Sequence, residues 1–138
     1  MKRLQAVGLC VVTACLGFAW PADAAGKYDG SAPMLCAVTA VSECTADGKC
    51  ERSAPQAGNN LPTFMRVDVK GKVLRADDDS GRKTEIKVSS VVDDQLMLQG
   101  IENGKAWSMV IKSDTGRWGG SVVEDDGSFA LFGACTLP

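Results

Sequence analysis

The chain has 138 residues, 45% of them hydrophobic, with a formal charge of −2, six cysteines and no histidine. That length suits a single domain. The missing histidines exclude Ser-His-Asp and Cys-His nucleophiles and His-ligated zinc or iron, and the near-neutral balance lacks the basic face of a nucleic-acid binder.

Residues 1–24 read as a secretory signal peptide: Lys2 and Arg3, an uncharged run from Leu4 to Trp20, then Pro21 and the small-residue site Ala22-Asp23-Ala24. Cleavage after Ala24 leaves residues 25–138 as a single exported domain, periplasmic or secreted. The apolar run is short for a membrane span and stops at a proline. A rival reading takes Val12-Thr13-Ala14-Cys15 as a lipobox, with a lipid anchor on Cys15. Residues 25–33 are expected to be a flexible lead.

Cys36, Cys44, Cys50 and Cys135 remain after cleavage, an even number that reads as two disulfides in an exported domain. A three-residue hairpin loop Ala46-Asp47-Gly48, with Gly48 at φ > 0, sets Cys44 opposite Cys50. Directly opposed Cα atoms lie about 4.5–5.5 Å apart, within disulfide range. Cys36 then pairs with Cys135 and ties the start of the fold to its end. The Cys-x7-Cys-x5-Cys spacing lacks the close pairs of a zinc site, and no Cys-x-x-Cys redox motif occurs.

From residue 35 onward the sequence alternates apolar and polar residues in short runs broken by glycine-containing turns, the pattern of an antiparallel up-and-down meander. About eight to nine short strands are expected, from runs at 35–44, 50–53, 63–69, 72–77, 84–92, 95–102, 105–112, 117–125 and 128–135. The turns set the register. Lys70-Gly71 places Val67 opposite Leu74. Asn103-Gly104, the strongest type I′ signal, places Gly100 opposite Trp107, Leu98 opposite Met109 and Leu96 opposite Ile111. A loop of Ser113-Asp114-Thr115-Gly116 places Ile111 opposite Trp118, Met109 opposite Gly120 and Trp107 opposite Val122. Asp126-Gly127 as a turn places Val122 opposite Leu131, Gly120 opposite Gly133 and Trp118 opposite Cys135. These registers put Leu96, Leu98, Trp107, Met109, Ile111, Trp118, Val122 and Leu131 on one face. Closure into a small barrel or half-barrel buries that face and removes the free edges.

Residues 54–62 form the one long irregular stretch and are expected to be a surface loop, a lid or contact loop in the functional reading. Asp77-Asp78-Asp79-Ser80-Gly81 has carboxylates that would suit calcium, but it lacks the twelve-residue ligand spacing and reads as a solvated turn. Asp93-Asp94 and Asp125-Asp126 fall at turns as well. No Gly-x-Ser-x-Gly, Ser-x-x-Lys, phosphate-loop or dinucleotide motif is present. Arg66, Arg75, Lys87 and Lys112 are expected on the outer face, paired across strands with Asp68 and Glu85. Trp107, Met109, Trp118, Val122 and Leu131 are either core or the lining of an apolar pocket; a cavity of ~300 Å³ or more would suit a small molecule, and a filled interior would favour contact through the surface.

This architecture resembles the calycin-like group of small secreted barrels, which includes lipocalins and some periplasmic inhibitors of lysozyme. The likeness lies in strand number and closure alone. The first strand has no lipocalin Gly-x-Trp, and no inhibitor motif matches residue by residue, so no site residue is implied. The expectation is a non-enzymatic exported barrel, without cofactor or metal, that binds a protein or a small apolar ligand. The alternative is a periplasmic inhibitor of a cell-wall hydrolase acting through protein contact, and behind it a carboxylate-based hydrolase.

Overall fold

The structure, a computed structural model, describes residues 27–55 and 61–138. The expected signal peptide at 1–24, with the alternative reading of an anchor at Cys15, and residues 56–60 of the long loop lie outside the described residues. The described chain is all β: β1 (Met34–Thr45), β2 (Cys50–Ser53), β3 (Phe64–Asp68), β4 (Val73–Ala76), β5 (Lys83–Val92), β6 (Gln95–Glu102), β7 (Lys105–Lys112), β8 (Arg117–Val123) and β9 (Gly127–Thr136). All pairings are antiparallel, in the order β2-β1-β3-β4-β5-β6-β7-β8-β9.

β9 also pairs with β1, which closes β1 and β3 to β9 into an eight-stranded barrel. β1 is twelve residues long, and its two halves hold different neighbours on one side. Met34–Ala37 pair with β3, and Val41–Cys44 pair with β2, so β2 is a flap beside the ring. Cys36 is bonded to Cys135 across the β1–β9 seam, and Cys44 to Cys50 across the β1–β2 hairpin, as the spacing predicts. Their Cα atoms are 3.9 and 4.1 Å apart.

The hairpins of β6, β7 and β8 have the predicted registers, from Leu96 opposite Ile111 to Trp107 opposite Val122. Asn103 and Gly104 both take positive φ, as a type I′ turn requires. The β8–β9 hairpin is shifted by two residues from expectation. Val122 faces Phe129, Gly120 faces Leu131 and Trp118 faces Gly133. Asp125-Asp126 forms the turn, closed by the Glu124 amide donating to the Gly127 carbonyl at 3.0 Å. The cause is tertiary: the Ala46 amide donates to the Asp126 carbonyl, and Gly127 lies opposite Thr45, where a Cβ would press on the Cys44 carbonyl. Because the slip is even, every side chain keeps its face.

At the β3–β4 hairpin Val67 does face Leu74, but the positive φ falls on Lys72. Gly71 is required for a different reason. Its amide donates to the Asp68 carboxylate at 2.8 Å, and that carboxylate occupies the space a Cβ would need. The expected cross-strand charge pairing changes with it. Arg66 faces Arg75 and pairs with Asp77 at 2.6 Å, while Lys87 pairs with Glu85 on its own strand.

The lead is not loose where it is described. The Tyr28 amide donates to the Ser113 carbonyl at 3.0 Å, its ring packs at Gly116, and Gly30 is buried against Val69. Tyr28 and Gly30 therefore pack on the barrel end where the β7–β8 and β3–β4 turns lie. Inside that end the core is filled by Met34, Cys36, Val67, Leu96, Leu98 and Ile111, each 1% exposed or less. Apart from the disulfide-bonded Cys36, each of these side chains contributes about 1.5–3 kcal/mol on burial.

Candidate functional site: the barrel mouth

The other end of the barrel is shaped by two tryptophans. Trp107 on β7 lies across Gly100 of β6, and its Nε1 donates to Thr84 Oγ1 on β5 at 3.1 Å. Trp118 on β8 lies across Gly133 of β9, and its Nε1 donates to the Ala37 carbonyl on β1 at 3.1 Å. Each indole thus passes over a glycine and is fixed by the strand beyond. Indole N–H groups that find such partners can be buried without an unsatisfied donor. The two rings point in opposite directions around the wall, and the space between them is not filled.

The result is a cavity of about 140 Å³. Trp107, Met109, Trp118, Val122 and Leu131, five of the eight residues that the strand pattern places on one face, all line it. Val38, Met65, Leu74, Ala76 and Phe129 add to its apolar wall. Leu61 and Pro62, the described end of the long loop, lie at its mouth, where the Leu61 amide donates to the Pro55 carbonyl at 3.1 Å. Residues 56–60 would form the rest of the expected contact loop, and they lie outside the described residues.

Charged groups rim the opening. Arg82 makes a two-point contact with Glu102, Nε to Oε1 at 2.6 Å and Nη2 to Oε2 at 3.1 Å. Lys105 pairs with Glu124 at 2.5 Å. Arg82, Lys83, Glu102 and Lys105 all border the cavity, a contribution that strand alternation could not reveal because it arises from the hairpin tips. Beside the rim, the Ser80 hydroxyl and amide hold the Asp78 carboxyl below the ordinary aspartate value. Asp77 is engaged by Arg66, so the acidic turn is folded onto its own neighbours. No group of three metal-ligating side chains occurs among the described residues.

Fold and site together define a closed, disulfide-bonded, eight-stranded barrel with an apolar cavity open at one end. Comparisons with protein-family models, with curated proteins and with solved structures find no match to this chain.

Proposed function

We propose that this chain is an exported, non-enzymatic binding module whose barrel mouth takes one ring-sized or short-chain apolar group of its ligand. The cavity between Trp107 and Trp118 carries this reading. Sites for whole drug-sized molecules run to roughly 300–1,000 Å³, whereas an apolar cavity of about 150 Å³ holds a benzene ring. At 140 Å³ the barrel has room for one such group, with the rest of the ligand lying over the charged rim. That geometry suits an apolar side chain of a protein partner as well as the end of a small amphiphile. Two disulfides support export, since such bonds persist in oxidising compartments. The rim carboxylates Glu102 and Glu124 are each held in an ion pair, which supports a binding role over acid catalysis.

Titration of the oxidised protein with indole and with short alkyl alcohols, followed by NMR of the indole N–H signals, tests the proposal. The Trp107 signal is expected to move in a saturable way, and Val122→Phe, which fills the cavity, is expected to abolish the response. A Trp107 signal indifferent to every probe would overturn the cavity reading. Turnover above background in a panel of hydrolase substrates would overturn the non-enzymatic one.

A further inference from the structure

The hairpin tips at the two ends of the barrel differ in charge. Around the mouth, the tips 77–83, 102–105 and 124–127 hold seven carboxylates and three cations, whereas the turns at the other end, 68–73, 92–95 and 112–117, hold four of each. Gln56-Ala57-Gly58-Asn59-Asn60 of the long loop adds no charge. An excess of negative charge therefore gathers at the opening of a chain whose net charge is only −2.

The layer directly over the cavity is balanced. Arg82, Glu102, Lys105 and Glu124 alternate in sign, and each cation is paired with a carboxylate, which leaves Lys83 as the one cation of these tips outside an ion pair among the described residues. The excess lies farther out, in Asp77-Asp78-Asp79 of the β4–β5 tip and Asp125-Asp126 of the β8–β9 tip. Arg66 engages Asp77, but Asp79, Asp125 and Asp126 are exposed and enter no ion pair among the described residues. The two tips are four strands apart whichever way the ring is followed, so they stand on opposite sides of the opening. Eight strands spaced ~4.8 Å and tilted by ~40° make a ring about 16 Å across.

We propose that the mouth takes an extended basic segment of a protein partner, with one apolar side chain in the cavity and a lysine or arginine two residues to either side of it. The inference rests on the cavity reading above and adds the sign and form of the ligand. A small ammonium ion reaches one acidic tip at a time. In an extended chain, residues i−2, i and i+2 share a face and span about 13 Å, so the central side chain points into the cavity while the two flanking cations face the two tips. The apolar anchor supplies the hold, and the opposed charges select the partner and speed its approach.

Four capped pentapeptides test this through the Trp107 indole N–H signal of the oxidised protein: Lys-Ser-Phe-Ser-Lys, Ser-Ser-Phe-Ser-Ser, Glu-Ser-Phe-Ser-Glu and Lys-Ser-Ser-Ser-Lys, with phenethylammonium as the small cation. The first is expected to bind about tenfold or more tighter than any other probe at low salt, and its lead over the neutral peptide is expected to shrink at about 0.5 M salt. Asp79→Asn/Asp125→Asn/Asp126→Asn is expected to erase that lead and keep the response to indole, while Asp93→Asn/Asp114→Asn at the far end changes neither; circular dichroism checks the fold of each variant. A neutral peptide or phenethylammonium that binds as tightly as the basic peptide overturns the proposal and leaves the cavity reading in place. A Trp107 signal that moves with no probe, indole included, removes both.

Discussion

Gly100 and Gly133 decide where the two indoles can lie. A Cβ at Gly133 would meet the Trp118 ring and the Ala37 carbonyl, and one at Gly100 would meet the Trp107 ring and the Glu85 carbonyl. In both cases one obstacle is backbone, so the site cannot give way by a rotamer change. Gly100→Ala and Gly133→Ala are each expected to cost about 1–3 kcal/mol in urea unfolding, with the matching indole N–H signal displaced. Gly104→Ala meets no atom, but it forces a side chain onto φ of +79°, so it should cost about 1 kcal/mol and leave both indoles in place. Strand alternation makes the inward face of Trp107 and Trp118 legible in the sequence. It does not make the cavity legible, because alternation fixes which side of the sheet a ring is on and not which neighbouring glycine it covers.

Among the elements, the two disulfides should differ in weight. Cys36–Cys135 joins neighbouring strands of the ring across a sequence separation of 99, and Cys44–Cys50 joins the flap to β1 across 6. In the chain-entropy model the first contributes about 4–5 kcal/mol and the second roughly 2 kcal/mol. Denaturant melts of Cys36→Ala/Cys135→Ala and Cys44→Ser/Cys50→Ser are therefore expected to show the larger loss for the ring bridge; equal losses would contradict this division. The Cys44–Cys50 bridge could be read from loop geometry and Cys36–Cys135 as the pair left over, and the registers around Asn103-Gly104 and Ser113 to Gly116 could be read from their turns. The β8–β9 slip could not. Asp125-Asp126-Gly127 offers two overlapping turns, and the choice is made by Ala46 and Cys44, some eighty residues away in sequence. The packed lead was equally hidden, since Tyr28 is anchored by a carbonyl and a glycine on the β7–β8 loop.

For the molecule as a whole, charge and fold predict an uneventful response to neutral pH. There is no histidine, so no side chain has its ordinary pKa between 5 and 8. Asp29, Asp47, Asp78 and Glu85 all titrate below their ordinary values of 3.8 and 4.5. Ser31, Thr45 and Ser80 hold the three aspartates through hydrogen bonds, and Lys87 holds the glutamate. A carboxylate favoured by the folded state takes up its proton more readily once unfolded. The stability it supplies is complete above the unfolded pKa and is lost as pH falls through the folded one. Calorimetry should find a flat Tm from about pH 5.5 to 8 and a decline below about pH 4; a step near pH 6.5 would contradict it.

The seam between β1 and β9 also determines how the molecule would behave on a tether. Leu35 lies beside Thr136, so the first and last strands leave the barrel together, at the end opposite the mouth. A pull between the two ends loads the Cys36–Cys135 bond directly instead of peeling strands apart. At ~3.3–3.6 Å per extended residue, the bridge withholds on the order of 330 Å of chain from stretching. Held by either end, the barrel keeps its shape under load and presents its opening outward.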